Sequence, residues 1–350
     1  MDISLFDYDL PEDRIAQYPL EKRDDSRMMV LMPATGKISH CRFRDLPGFL
    51  NPGDVVVLNR TKVIRARLLG KKANTGAFVE VFLLKELEEN LWECLVRPGS
   101  RLREGSIVEF DEGVKCELVS QTTFGGRIVK FKAEGNIVSY LSRIGHVPLP
   151  PYITRPDDKT YDGQRYQTVY AEYEGSVAAP TAGLHFTHEM LEALSAKGIV
   201  SAPLILHVGL GTFQPVKMQK IEEHKMHTEK YMVPTETAHV INDAVKQKRR
   251  VLIVGTTAVR ALETCAQQDG TVSVGSGDTN LFIYPGYKFK ITKSLLTNFH
   301  LPRSTLLMMV SALAGREFVL KAYKEAIREG YRFFSYGDCM LILNESKEIK

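Results

Sequence analysis

VLIVGTTAVRALETCA, residues 251–266, decides the fold. The aliphatic run Val251–Val254 predicts a buried strand, Gly255 a sharp turn, and Thr256 onward a helix reaching Ala266. Strand, glycine turn and helix in direct succession form the repeating unit of an α/β sheet. The same alternation extends outward. Ile199–His207 predicts a strand that runs into Val208–Phe213, and Glu236–Lys248 a helix burying Ala238, Ile241, Ala244 and Val245. Further strands are expected at Met28–Met32, Val55–Asn59, Leu281–Lys288 and Phe333–Leu343. Further helices follow a cap at Ser304 or Thr305 and over 317–328. The expectation is an α/β protein with a mixed, largely parallel sheet flanked by helices.

From Val55 to about Lys132 the apolar period changes to two. Short segments such as Phe78–Leu84, Leu91–Val96, Lys115–Val119 and Arg127–Phe131 are bounded by Gly, Asn, Pro or Asp. That spacing predicts an antiparallel β-barrel, whose closure removes exposed sheet edges. Sheet elements flank the block on both sides, so the barrel is an insertion. The expected division is 1–68 plus 151–350 for the α/β domain and 69–150 for the barrel.

The 350 residues carry a net charge of +4, which permits phosphate or RNA contact through a local patch without demanding it. Five scattered cysteines without a C-x-x-C pair argue against a disulfide framework or zinc site and for a reducing compartment. The acidic, proline-interrupted start is no signal peptide, and the longest apolar run, Leu306–Ala314, is far short of the roughly 20 residues of a membrane span. A cytoplasmic protein without membrane contact is expected.

The motifs point to the loop edge of the sheet. SVAAPTAGLHF (176–186) has small-residue turns at Ala178-Ala179-Pro180 and Ala182-Gly183, ends near His185, and feeds a helix capped by Thr187. Gly255-Thr256-Thr257 starts a helix whose first turn holds Arg260, a pattern suited to a carboxylate or phosphate. Gly209-x-Gly211 follows a strand, but Gln214 stands at the third glycine position, so the dinucleotide fingerprint is broken. His224-x-x-His227-x-Glu229 lacks a nearby partner for a metal, and none is expected. His185, His207 and His300 each end a segment at a strand or helix boundary, and Asp338 is a carboxylate inside an apolar run, either structural or an acid with a shifted pKa. Arg165 and Tyr166 interleave beside a loop, as a base-stacking group or as core packing. Arg23, Arg27, Arg97 and Arg101 sit beside turn formers.

Read together, IAQYPLEKRDDSRMMVL, GDVVVLNRTKVIRARLLG, LVRPGSRL, RYQTVYA, GSVAAPTAGLHFT, HVGLGTFQPV, HKMHTEKY, GTTAVRALE, TNFHLPRSTLLMMVSALAG and YRFFSYGDCMLI resemble, nearly end to end, the S-adenosylmethionine:tRNA ribosyltransferase-isomerases of queuosine biosynthesis. The resemblance implies a monomeric enzyme that moves and isomerises the ribosyl group of S-adenosylmethionine onto 7-aminomethyl-7-deazaguanine at the wobble position of a tRNA with a GUN-type anticodon. Epoxyqueuosine-tRNA, adenine and methionine are the implied products. S-adenosylmethionine is then a substrate, and no cofactor is implied.

That chemistry can be laid on the residues. The sulfonium acidifies the neighbouring ribose carbon, which calls for a base at His185 or His207, and adenine leaves as a protonated base, which calls for an acid such as His300 or Asp338. Ala182, Gly183, Gly209, Gly211, Thr212, Thr256, Thr257 and Arg260 are the expected donor-binding residues, Arg260 anchoring the methionine carboxylate. Arg23, Arg27, Arg97 and Arg101 are the expected tRNA phosphate contacts, with Arg165 and Tyr166 holding the splayed nucleotide. A methyltransferase and a non-catalytic RNA-binding module are the rival classes. Methylated RNA would mark the first, and tRNA binding with no donor consumed the second.

Overall fold

The computed structural model describes residues 1–122, 125–209 and 218–344. In chain order the strands are β1 (Arg27–Met32), β2 (Lys37–Arg42), β3 (Val55–Asn59), β4 (Thr61–Val63), β5 (Arg67–Lys72), β6 (Phe78–Glu88), β7 (Leu91–Arg97), β8 (Ile107–Glu109), β9 (Lys115–Gln121), β10 (Arg127–Lys132), β11 (Tyr173–Ser176), β12 (Val200–Leu206), β13 (Glu229–Val233), β14 (Val251–Val254), β15 (Gly275–Thr279), β16 (Ser294–Asn298) and β17 (Cys339–Leu343). The helices are α1 (Val138–Ile144), α2 (Tyr161–Arg165), α3 (His188–Ala196), α4 (Thr235–Lys246), α5 (Thr256–Cys265), α6 (Thr305–Ala314) and α7 (Arg316–Arg328).

The large sheet runs β15-β13-β12-β3-β14-β16-β17-β1-β2. Its centre is parallel, β12 on β3, β3 on β14 and β14 on β16, and antiparallel pairs complete both flanks. The strand VVVLN shows why helices cover both faces. Val55 and Val57 join the core built with α4, α5, α6 and α7, whereas Val56 and Leu58 join the opposite core with Phe43, Leu46, Phe186 and Met190. Period two inside a run with no polar residue before Asn59 requires an apolar partner on each side. Each fully buried aliphatic side chain contributes about 1.5–3 kcal/mol.

β5 to β10 close into a barrel in the order β10-β7-β6-β5-β8-β9, with every pair except the β8–β5 and β8–β9 contacts lying between long strands. Its first strand begins at Arg67. Leu68, Val81, Trp92, Cys94, Cys116 and Phe131 fill the interior, and α1 closes one end with Leu141 and Ile144. Gly70 sits where β5 meets β8, and a Cβ there would lie 2.7 Å from the Glu109 carbonyl oxygen.

Two strand expectations fail for a physical reason. Leu281–Lys288 is not a strand. Its aromatic alternation reflects packing of Phe282, Tyr284 and Tyr287 onto the main core, with Pro285-Gly286 turning the chain, while the glycine-rich Gly275–Thr279 pairs antiparallel with β13. The last strand begins at Cys339, because Phe334 has φ +71° and Phe333–Asp338 forms a turn. Among the described residues no helix is long and apolar enough to cross a membrane.

Candidate functional site

The carboxyl ends of the parallel strands carry the loop Ser176–Phe186. The Val177 N–H donates to the Val208 carbonyl oxygen (3.2 Å), which ties this loop to the end of β12. Thr181–His185 then makes a 3-10 turn, and the Thr187 hydroxyl accepts from the Met190 N–H (3.1 Å), capping α3 as its sequence indicates. Gly183 is a close-approach glycine, since a Cβ there would fall 2.1 Å from the Tyr170 hydroxyl. A Cβ at Gly255 would meet the Ala182 methyl at 3.9 Å. The structure therefore brings Ala182 and Gly183 against the turn that leads to the buried Thr256 and Thr257.

His185 is buried and lies in a chain of hydrogen bonds. The Ser26 hydroxyl donates to the Arg23 carbonyl oxygen (2.9 Å), so His185 Nδ1–H donates to Ser26 Oγ (2.9 Å) and its bare Nε2 accepts from Asn298 Nδ2 (3.2 Å). Asn298 Nδ2 also donates to the Phe334 carbonyl oxygen (3.0 Å). A flipped amide would set two oxygens face to face there, so the orientation is fixed and Asn298 Oδ1 is left buried without a partner among the described residues. Burial, then the charges of Arg23 and Arg332, push the His185 pKa down to about 3. It is a neutral imidazole at any physiological pH.

His300 is likewise pushed down to about 3 by burial, with Nε2 on Thr297 Oγ1 (2.8 Å), its N–H on the Tyr323 hydroxyl (3.0 Å) and its carbonyl oxygen accepting from the Tyr8 hydroxyl. His207 differs. It is half-buried, Nδ1 is held by Thr61 Oγ1 (2.9 Å), Nε2 has no partner among the described residues, and its pKa is lowered by burial and then Lys230.

Two small cavities flank Asn298. One, of about 20 Å³, is lined by Arg23, Ser26, Arg165, His185, Ser335 and Tyr336, and the other, of about 30 Å³, by Tyr152, Thr181, Asn298, His300, Ser304 and Ser335. Ser335, held by the Tyr152 hydroxyl, is the partition between them. Each has room for about one water. A larger cavity of about 240 Å³ lies between barrel and sheet, with Ile64, Leu141 and Tyr166 in its lining, away from the three histidines.

Arginines dominate the rim of the His185 cavity. Arg23 donates to the carbonyl oxygens of Leu184 (3.0 Å) and Gln164 (2.9 Å), Arg165 to those of Glu21 (2.9 Å) and Leu20, and Arg332 to that of Tyr18. Among the described residues none of the three is in an ion pair with a carboxylate. Burial and then Arg165 pull Arg23 down to about 10. Arg155 and Asp162, by contrast, form a buried bidentate pair (2.7 and 2.6 Å) that also accepts from the Tyr336 hydroxyl (3.1 Å). Burial raises the Asp162 pKa, but the hydrogen bonds from Arg155 and from the Asp158 N–H outweigh it and leave the carboxyl below its ordinary value. Its stabilisation is present above about pH 4 and is lost as pH falls through the depressed folded pKa. The urea midpoint of the protein is therefore expected to drop between pH 5 and 3, and that of Asp162→Asn to start lower and change less.

Several expected site residues are placed otherwise. Arg260 is only 3% exposed, pairs with Glu229, and donates further to the carbonyl oxygens of Leu281 (3.0 Å), His227 (3.3 Å) and Thr279 (3.3 Å), so its guanidinium is enclosed by protein partners and is not presented to a substrate carboxylate. Glu229 Oε1 accepts from the Gly209 N–H (2.9 Å), which makes the Gly209–Glu229–Arg260 group a brace beneath the loop edge and removes Glu229 from any metal set. Asp338 accepts the N–H groups of Arg27 and Arg332 (2.8 Å each), one on each oxygen, and burial raises its pKa against those bonds, so it staples the Phe333–Asp338 turn to β1. Tyr166 is 1% exposed and packs edge-on against Tyr336, which rules out its ring as a stacking surface. Arg27 lies over the Tyr331 ring at 3.8 Å and donates to the Glu329 carbonyl oxygen, outside the lining of both small cavities. Arg97 is exposed on the barrel, opposite Glu80 in register. Gly211, Thr212 and the side chain of Arg101 lie outside the described residues. Ser26, Asn298, Ser335 and Arg332 had no motif to mark them, since each acquires its role from a partner far away in the chain.

A sheet parallel at its centre, small polar-lined cavities at the carboxyl ends of its strands, and a closed barrel inserted between β4 and β11 define a two-part α/β protein with a candidate site at those strand ends. A profile of the family described as "Queuosine biosynthesis protein" matches residues 3–342. The S-adenosylmethionine:tRNA ribosyltransferase-isomerases of Heliobacterium modesticaldum and Moorella thermoacetica are 54% and 55% identical to this chain, each over 345 residues, 98% of this chain and 100% of theirs. The crystal structure of S-adenosylmethionine tRNA ribosyltransferase from Thermotoga maritima is similar at 41% identity and a TM-score of 0.55, covering 97% of this chain and all of that one. The chain belongs to the queuosine biosynthesis protein family.

Proposed function

We propose that this protein transfers and isomerises the ribosyl group of S-adenosylmethionine onto 7-aminomethyl-7-deazaguanine at the wobble position of a GUN-anticodon tRNA, releasing adenine and methionine. It does so as a cytoplasmic monomer, with the donor consumed and no cofactor needed. The observation that carries the reading is the arrangement at the sheet edge. A half-buried histidine whose Nε2 has no partner among the described residues stands at the end of β12, and a group of arginines in no carboxylate ion pair among those residues stands beside the end of β16. β3 and β14 separate those two strands, a span of roughly 14 Å that a nucleoside bearing an amino acid bridges.

Within this reading His207 is the base that takes the proton from the ribose carbon beside the sulfonium. Its ring is oriented through Nδ1 by Thr61, and its basicity is less depressed than that of His185 or His300. His185 and Asn298 orient the sugar and leaving base by hydrogen bonds from neutral groups, because a pKa near 3 makes His185 a weak base. The anchor for the methionine carboxylate or an RNA phosphate moves from Arg260 to Arg23, Arg165 and Arg332. Ala182 and Gly183, beside the Gly255 turn that leads to Thr256 and Thr257, stay with those two threonines as the donor-binding residues of this reading.

Purified protein incubated with S-adenosylmethionine and deazaguanine-bearing tRNA is expected to release adenine and methionine in equal amounts on a chromatogram. S-adenosylhomocysteine and methylated RNA instead would make it a methyltransferase.

A further inference from the structure

Tyr18 is an aromatic ring that folding has left outside. It is 56% exposed, yet the backbone around it is held by arginine side chains. The carbonyl oxygen of Gln17 accepts from Arg155 (2.9 Å), that of Tyr18 from Arg332, and those of Leu20 and Glu21 from Arg165. Arg155 and Arg165 from one stretch of the chain and Arg332 from another thus latch one short segment. The Arg155 guanidinium lies 4.2 Å from the Tyr18 ring centroid and covers one face. The next two residues, Pro19 and Leu20, line the His185 cavity.

An exposed ring with one face covered by a cation presents the other face as a flat, preorganised surface. That is the geometry which takes a single-stranded nucleobase, with unneutralised guanidinium groups alongside for its phosphate. Tyr161 is 38% exposed, and Arg165 stands farther from its ring, at 5.9 Å, so it is the weaker platform.

We propose that Tyr18, backed by Arg155, is the stacking platform for an unpaired RNA base at the mouth of the His185 cavity. This rests on the reading that RNA is the acceptor, and it names the contact that holds the base next to the reacting nucleotide. The ring stacks on the RNA and leaves the donor untouched.

The test compares wild type with Tyr18→Leu, Tyr18→Phe and Tyr18→Trp in the full chain, using an anticodon stem-loop RNA bearing the deazaguanine. Loss of one stacked base is expected to raise the KM for RNA about 10- to 100-fold in Tyr18→Leu, with the KM for S-adenosylmethionine unchanged and Tyr18→Phe close to wild type. Only the backbone of Tyr18 is latched, so these variants keep the segment's hydrogen bonds. The chain has one tryptophan, Trp92, buried in the barrel, so Tyr18→Trp adds an exposed fluorophore at the platform. Its emission is expected to be quenched by the RNA and not by S-adenosylmethionine. An RNA KM in Tyr18→Leu within twofold of wild type, or a rise in the donor KM alone, overturns the proposal. Quenching is read without turnover, so a failure of the enzymatic reading, seen as no adenine release by wild type, is distinguishable from a failure of the platform.

Discussion

Replacing His207 with alanine is expected to lower the rate of adenine release by about 10²- to 10⁴-fold while leaving the affinity for tRNA unchanged. The size follows from loss of a positioned proton acceptor, and the selectivity from its location at the end of β12, where the ring rests against Gly175 and Thr61. The pH profile gives a second, independent reading. Burial and Lys230 hold the His207 pKa below its ordinary 6.5, and only the unprotonated ring accepts a proton. The limiting rate of wild type is therefore expected to fall on the acid side, below pH 6.5, and to be flat above it. His207→Gln retains a bond to Thr61 without basicity and is expected to lose both the rate and that acid limb. Full turnover in His207→Ala would move the base elsewhere.

Arg260→Ala is expected to cost about 3–5 kcal/mol of stability, the range for removing one member of a buried ion pair. Both side chains of the Arg260–Glu229 pair are 3% exposed, and the truncation takes the guanidinium away from the Glu229 carboxylate and from three carbonyl oxygens at once. A chemical denaturation curve measures the loss directly. If Arg260 instead anchored the donor, stability would hold and only the KM for S-adenosylmethionine would rise. The outcomes are separable because a substrate anchor is solvated in the free protein, whereas this guanidinium is enclosed by it.

How far the chain could be read from its residues depended on the range of the interactions involved. VVVLN and VLIVGTTAV declare strands and a helix start through neighbours within a few residues, and the period-two block likewise declares a barrel. Thr187 and Ser304 cap the helices expected of them, since a cap acts across three residues. Gly275–Thr279 hid its strand, because its pairing energy lies in β13 rather than in its own glycines. Arg260 looked like an anion anchor because the acid that engages it, Glu229, stands 31 positions away. Asp338 signalled a buried carboxylate correctly, but the choice between acid and staple depended on the N–H groups of Arg27 and Arg332. Tyr166 and Tyr18 carry the same ring, and only the fold decides which is enclosed and which faces outward.

The place of β17 has a consequence for how the molecule is made. It is the last strand of the chain, yet it is threaded between β16 and β1, parallel to one and antiparallel to the other. During synthesis the β1–β2 hairpin must wait, its inner edge open, until β17 has been made. Any truncation short of Leu343 strands two sticky edges at once, and such fragments are expected to aggregate rather than persist as a smaller working protein.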